Sequence, residues 1–292
     1  MIIKDFLIPL HLEKHITMKT YKTAPLPFVG QKRMFASQFV NHLKQVDDNT
    51  IFVDLFGGSG LLSHLAKRTK PNTKVIYNDY DYYTERLKHI PTTNKLITDI
   101  RSIVGSNVPK AKKLSEEVKQ AILHRILQEQ KIIGYIDYIT LSPSLLFSMK
   151  YANNFEELSK HSFYNSIRCT DYPIADDYIE GLEIVHEDYR VLFNKYKDLP
   201  NVVFLVDPPY LSTDVKTYTM SWKLNDYLDV LTVLKGHSYI YFTSNKSSIL
   251  ELCQWIGDNK TIGNPFEGAT KLEFNARMNY NSSYTDIMLC KL

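Results

Sequence analysis

Apolar and polar positions run along the chain in two different rhythms. Residues 51–56, IFVDLF, are a short apolar run rich in β-formers, followed by GGSG. LLSHLAKRTK comes next, with Leu61, Leu62, Leu65 and Ala66 at helical spacing until PNT stops it. KVIYND at 74–79 predicts a second strand and YDYYTERLKHI a second helix. Strand, glycine-rich turn, helix, strand is a βαβ unit, which implies a parallel sheet. The rhythm changes over 100–178. SEEVKQAILHRILQEQKIIGYI is a long helical pattern, with Ser115 placed to cap it and Glu116 and Glu117 in its first turn. The remainder up to 178 mixes apolar and polar clusters without strand alternation, so it reads as a helical insert. From 181 the first rhythm returns. GLEIVHEDY predicts a strand, RVLFNKYKDL a helix and NVVFLV a fully apolar central strand. NDYLDVLTVLK predicts a helix, SYIYFTSN a strand and KSSILELCQWIG a helix, and the tail predicts two strands around NSS. The whole predicts an α/β domain made of 1–99 and 179–292. Its sheet is mostly parallel and seven-stranded with helices on both faces, and 100–178 is inserted into it.

The bulk numbers narrow this picture only slightly. The chain has 292 residues, 44% hydrophobic and 23% charged, enough for a sizeable core. Its net charge of +3 is too small to imply a nucleic-acid partner by itself. Residues 1–46 carry seven Lys or Arg against two acids, so that arm is basic, whereas 106–178 balances nine against nine. The three cysteines, Cys169, Cys253 and Cys290, are far apart and match neither a disulfide framework nor a zinc spacing. Reduced thiols, a cytoplasmic location, no bound metal and no membrane contact are expected. No apolar run approaches the ~18 residues of a membrane span, and the N-terminus lacks a signal-peptide cleavage pattern.

Candidate chemistry gathers at two strand ends. In Asp54 to Gly60, DLFGGSG, glycines between a strand and a helix let the backbone bend sharply and approach a ligand, with free helix N–H groups behind them. The second strand ends in YNDYD. An acid about 20 residues past such a turn can accept from ribose hydroxyls, which selects Asp79 first and Asp81 second. A plain helix cap is the other reading of Asp79. Turn and acid together indicate a nucleoside cofactor. Without GxGxxG, S-adenosylmethionine fits better than a dinucleotide. The second locus is FLVDPPY, 204–210. Its prolines stiffen the loop and leave carbonyls without competing local donors. Asp207 and the Pro208 carbonyl are acceptors for an –NH₂ group, and Tyr210 offers a ring for a flat partner. An exocyclic amine of a nucleobase satisfies all three.

DLFGGSG followed late by DPPY resembles the amino-group DNA methyltransferases that act on adenine N6. The order of motifs, with a long insert between them, is similar to the alpha group, the bacterial and phage adenine methylases. The resemblance implies a Rossmann-like class I methyltransferase fold, with 100–178 as the DNA target-recognition part. It implies Asp207, Pro208, Pro209 and Tyr210 as the catalytic motif. PFVGQKR resembles the N-terminal motif that helps hold S-adenosylmethionine, bringing in Phe28, Gly30 and Lys32. LEIVHEDY resembles the segment whose acid meets the cofactor's adenine, here Asp188. With Asp54, Phe56, Gly57, Gly58, Ser59, Gly60 and Asp79 these make up the expected cofactor site. The likeness covers roughly 22–90 and 181–292. It departs mildly at Gly57, where alanine is commoner, and at Gln31, where a second glycine is usual. The family's Arg/Asn/Gly-rich recognition segment is not found in the insert, which leaves the DNA sequence read by this chain open.

The implied partner is double-stranded DNA, met by a monomer or weak dimer. Lys110, Lys112, Lys113, Lys119, Arg125 and Arg168 are then candidates for phosphate contact, and His161, Tyr164 and Asn165 for base reading. NARMNYNSSY in the tail is a candidate for closing the target-base pocket. A solvated surface accounts for the insert residues equally well. Other amine acceptors (cytosine N4, an RNA adenine, a protein amide) and a catalytically inactive DNA-binding relative are the alternatives.

Overall fold

Seven strands form one sheet in the computed structural model, which describes residues 19–147, 150–209, 222, 224–245, 247–258, 264–279 and 282–292. They are β1 (Ile51–Asp54), β2 (Lys74–Asn78), β3 (Glu183–Val185), β4 (Val202–Val206), β5 (Ser238–Ser244), β6 (Thr270–Asn279) and β7 (Ser282–Lys291). Their order is β3-β2-β1-β4-β5-β7-β6. The first five pair in parallel, and β7 lies antiparallel to both β5 and β6. The architecture is therefore the Rossmann-like methyltransferase fold that the βαβ rhythm and the motifs led us to expect.

The apolar run of β4 works because side chains alternate between faces and both faces are covered. Val203 and Leu205 pack with Phe52 and Phe242 under α1 (Ala36–Leu43) and α2 (Leu61–Thr69). Phe204 and Val206 pack on the opposite face with Val53 and Ile76. That face is covered by α8 (Tyr189–Tyr196), α9 (Leu224–Leu234) and α10 (Ile249–Asp258).

The helical lobe holds α3 (Tyr83–Lys88), α4 (Ile90–Val104), α5 (Glu116–Ile133), α6 (Tyr138–Leu145) and α7 (Phe155–Ser159). Ser115 caps α5 as expected, accepting from the Val118 amide. The boundary expected at 99/100 falls inside α4. Leu96, Ile97 and Ile100 of that helix join Ile122 and Ile126 of α5, Leu141 and Leu145 of α6, and Phe163 and Tyr178 in one core. Tyr83 and Leu87 belong to the same core, as do Tyr21 and Leu26 from the N-terminal arm. The lobe thus starts at α3, and the arm is pinned against it. No described helix is long and apolar enough to cross a membrane.

Candidate active site

The sheet reverses its direction of growth between β1 and β4, and ligands of open α/β sheets bind beyond the carboxyl ends at that point. A cavity lies there. The loop after β1, the end of β2, the turn before α8, the segment after β4 and the Phe28–Lys32 segment all line it.

The glycine-rich loop is shaped by what lies beneath it. Gly60 takes a left-handed φ of 71° at the start of α2, and its amide bonds back to the Gly57 carbonyl at 2.7 Å. A Cβ on Gly57 would run into the Tyr77 ring and lie 2.6 Å from the Asn78 carbonyl oxygen. Gly57, Gly58 and Ser59 face the cavity, with Phe28 across from Gly58. Gly57→Ala is therefore expected to displace the loop and weaken cofactor binding at least about tenfold, because a backbone contact cannot relax as a side chain can. Calorimetric titration with S-adenosylmethionine measures it.

Asp54 sits under this loop rather than in the cavity. It is fully buried, and its Oδ2 accepts from Ser63 Oγ at 2.6 Å. Burial pushes its carboxyl up to about 7; the Ser63 bond opposes this and the nearby Asp207 charge adds to it. Between the ordinary 3.8 and about 7 the folded chain keeps a proton that the unfolded chain has released. Stability from this group is thus complete below pH 4 and is lost as pH rises towards 7, at most about 1.4 kcal/mol per pH unit. Asp54→Asn is expected to flatten that part of the profile, which urea midpoints at pH 5 and pH 8 for both proteins will report.

Asp79 is placed otherwise than expected. Its carboxylate is wholly buried and accepts from the Tyr83 amide at 2.6 Å, the Thr84 amide at 2.9 Å and Thr84 Oγ1 at 2.5 Å. The Tyr77 hydroxyl faces it at 3.0 Å. With both oxygens used to start α3, it acts as a helix cap, and Tyr80 and Asp81 line the cavity in its place. Asp188 lines the cavity but also caps α8, accepting from the Arg190 amide at 2.8 Å. Its neighbour Glu187, not anticipated from the sequence, lines the cavity too, and its buried Oε2 has no hydrogen-bond partner among the described residues.

Three rings form the apolar wall. Phe56 lies 4.9 Å from Tyr189 and 5.6 Å from Trp222, and the Tyr189 and Trp222 rings stack at 5.7 Å. Phe56 was anticipated; Tyr189 and Trp222 were not. Asn78 fixes the neighbouring strand ends, donating to the Leu55 carbonyl at 3.0 Å and the Glu187 carbonyl at 2.8 Å.

Asp207 directly follows β4, and Pro208 and Pro209 line the cavity with it. Tyr210 lies outside the described residues, as do Tyr280 and Asn281 of the tail segment. Lys32, 7% exposed, places Nζ 2.7 Å from Asp207 Oδ2 and 2.7 Å from the Gly30 carbonyl. Gly30, at φ 82°, turns the chain so that this lysine enters the site. Burial raises the Asp207 pKa, Lys32 opposes it, and Asp286 within β7 adds to it. The site thus holds a desolvated carboxylate steadied by one buried cation.

The lobe residues do not gather into one basic surface. Arg125 is directed into a carboxylate pair, 2.7 Å from Asp99 and 2.5 Å from Glu129. Lys110 donates to the Ile167 carbonyl at 2.5 Å, and Arg168 to the Thr170 carbonyl at 2.7 Å. Lys119 is 15% exposed and lies over the Phe163 ring. Asn165 is buried and bonds to the Val108 carbonyl. These charges balance local carboxylates and free carbonyls. Lys112 and Lys113 are exposed beside Tyr164, whose ring meets exposed Phe147 at 5.3 Å.

Fold and site together define a methyltransferase. A family model described as D12 class N6 adenine-specific DNA methyltransferase matches residues 28–238. A Haemophilus influenzae protein named "Putative methyltransferase" is 37% identical over 280 residues, covering 94% of this chain and 93% of that one. A Streptococcus thermophilus rRNA methylase structure, 13% identical, aligns with 91% of this chain and 99% of that one at a TM-score of 0.35. A Geobacter metallireducens precorrin-6y C5,15-methyltransferase structure, 8% identical, aligns with 94% and 99% at 0.37. The fold assignment rests on the strand order rather than on these two likenesses. The chain belongs to the D12 class of N6 adenine-specific DNA methyltransferases.

Proposed function

We propose that the protein transfers a methyl group from S-adenosylmethionine to the N6 amine of a flipped-out adenine in double-stranded DNA. The observation that carries this reading is Asp207 beside Pro208 and Pro209, opening onto the same cavity as the glycine loop and the aromatic wall. The cavity suits a nucleoside cofactor: three rings for a flat base, a buried Glu187 oxygen without a partner among the described residues for an N–H or O–H donor, and a glycine loop whose Gly57, Gly58 and Ser59 face it.

When bound, S-adenosylmethionine supplies an electrophilic methyl on a sulfonium. This chain's residues do the rest by position and electrostatics. Phe56, Tyr189 and Trp222 hold the cofactor's base, with Glu187 or Asp188 receiving its amine. Asp81 takes the ribose role once expected of Asp79. Asp207 and the Pro208 carbonyl accept both N–H bonds of the target amine, turning its lone pair from the ring towards the methyl. Transfer would form the N–CH₃ bond as the S–CH₃ bond broke, and the surplus proton would leave to water. The target adenine is hidden inside a duplex and must be extruded, at a cost of a few kcal/mol. Tyr210 is its proposed stacking partner, and Lys112 and Lys113 are the proposed phosphate contacts of the lobe.

The family's action on adenine N6 in DNA supports this acceptor over the others. The test is to offer radiolabelled S-adenosylmethionine with mixed-sequence duplex DNA, folded RNA or protein lysate, each separately. Label in the duplex alone is expected. Label confined to RNA or protein would move the acceptor, and binding without transfer to any of them would favour an inactive relative.

A further inference from the structure

Two buried tyrosine hydroxyls meet consecutive carbonyls of the glycine loop. The Tyr77 hydroxyl lies 2.8 Å from the Gly58 carbonyl oxygen, and the Tyr178 hydroxyl donates to the Ser59 carbonyl at 3.0 Å. Tyr77 is on β2, beside the loop, and must share its one proton with Asp79. Tyr178 comes from elsewhere: it lies beyond α7, where the chain leaves the lobe, 119 positions from Ser59.

Tyr178 is itself firmly held. It is 0% exposed, and its ring stacks on His64 of α2 at 4.7 Å and 16°. His64 uses both ring nitrogens: Nδ1 meets the Tyr178 carbonyl at 2.6 Å, and Nε2 accepts from the Tyr21 amide at 2.9 Å. Those two bonds fit a neutral ring with the proton on Nδ1. The Tyr21 ring meets Tyr178 edge-on at 5.2 Å, and its hydroxyl donates to Asp177 at 2.8 Å. Arm, lobe exit and α2 therefore close into one joint. Besides the helix amide of His64, which donates to the Gly60 carbonyl at 2.8 Å, the polar group this joint extends to the glycine loop, among the described residues, is the Tyr178 hydroxyl.

We propose that Tyr178 is a positioning residue through which the helical lobe sets the cofactor loop, so that duplex bound by the lobe and S-adenosylmethionine bound by the loop strengthen one another. The inference rests on the reading that this cavity takes S-adenosylmethionine and that the lobe meets DNA. A hydroxyl bond from the lobe orders Ser59, and whatever steadies the lobe then steadies the loop. By linkage the effect is reciprocal: duplex tightens the cofactor by the same factor by which the cofactor tightens duplex.

The experiment compares wild type, Tyr178→Phe and Tyr21→Phe. Tyr178→Phe keeps the stacked ring and removes only the hydroxyl. Tyr21→Phe removes a hydroxyl from the same joint that does not reach the loop. Affinity for S-adenosylmethionine is measured by calorimetry with and without a duplex in which adenine is replaced by purine, which has no amine to methylate. For Tyr178→Phe, affinity without duplex is expected to fall roughly three- to tenfold, the worth of one buried hydrogen bond. The tightening by duplex seen in wild type should disappear. Michaelis constants on normal duplex should rise for the cofactor while kcat changes less than about twofold. Tyr21→Phe should keep the wild-type cofactor affinity and coupling. Equal losses in both variants, or none in Tyr178→Phe, would overturn the proposal while leaving wild-type methylation of DNA intact. If Tyr178→Phe does not fold, hydrogen exchange on wild type decides. Duplex alone should slow the amides of 57–60, and unchanged exchange there counts against the coupling. Failure of wild type to bind S-adenosylmethionine is a separate result, against the functional reading itself.

Discussion

Asp207→Ala is expected to lower kcat for DNA methylation at least about a thousandfold and to change the cofactor dissociation constant less than about threefold. The amine of adenine is a poor nucleophile because its lone pair is shared with the ring, so the acceptors that localise it act in the transition state more than in the ground state. Asp207 follows β4 directly, between a buried apolar strand and two prolines, which holds its carboxylate to one place. The glycine loop, the aromatic wall and Glu187 stand on other elements and stay in the variant. Single-turnover rates give the loss of transfer, and calorimetry gives the retained binding. Near-normal turnover in this variant would falsify the proposed role of Asp207.

Lys32→Met is expected to lower kcat about a hundredfold near neutral pH and to move the acid limb of the rate profile upward. Its Nζ is 2.7 Å from Asp207 Oδ2, and the lysine is 7% exposed. Burial already raises the Asp207 pKa, and Lys32 is the group that restrains it. Without the cation, burial acts unopposed, and a carboxyl left alone in a poorly solvated place takes up a proton instead of remaining charged. The protonated acid has one oxygen fewer to accept from the amine. Activity is carried by the ionised form and is lost as pH falls through the folded-state pKa, so raising that pKa shifts the loss to higher pH. Part of the rate should return as the medium is made more alkaline. A uniform loss at every pH would mean that Lys32 serves packing or cofactor contact only. The sequence motif placed Lys32 with the cofactor; the ion pair ties it to the catalytic acid as well.

How far the site could be read in advance depended on how local its causes are. That Phe56–Ser59 and Asp207–Pro209 would lie together at one cavity was legible because strand, turn and helix signals adjoin them in the chain, whereas Asp54 lies under the loop. Asp79 was misplaced because an acid after β2 fits a ribose contact and a helix cap equally well, and only the amides of Tyr83 and Thr84 reveal which. Glu187 was passed over for Asp188, one position away, because which carboxylate of the pair α8 uses as its cap is a matter of backbone direction. Trp222 and Tyr178 had no local signal: their partners are Phe56 and Tyr189 in one case and Ser59 in the other, far away along the chain. The ion pairs of the insert depend on packing for a related reason: Asp99 reaches Arg125 from α4, and Glu129 from one helical turn on. The lobe starts earlier than the change of rhythm near residue 100 suggested, because Tyr83, Leu87, Ile90 and Leu96 turn their apolar side chains into the lobe core, a contact with distant residues that leaves no local signal.

The reaction is defined by its acceptor atom. Duplex DNA methylated by the purified protein with labelled S-adenosylmethionine should be digested to nucleosides and separated against standards. The label is expected to comigrate with N6-methyldeoxyadenosine and to vanish when Asp207→Ala replaces the wild type. Label in N4-methyldeoxycytidine, or in no nucleoside despite cofactor binding, would contradict transfer to adenine N6.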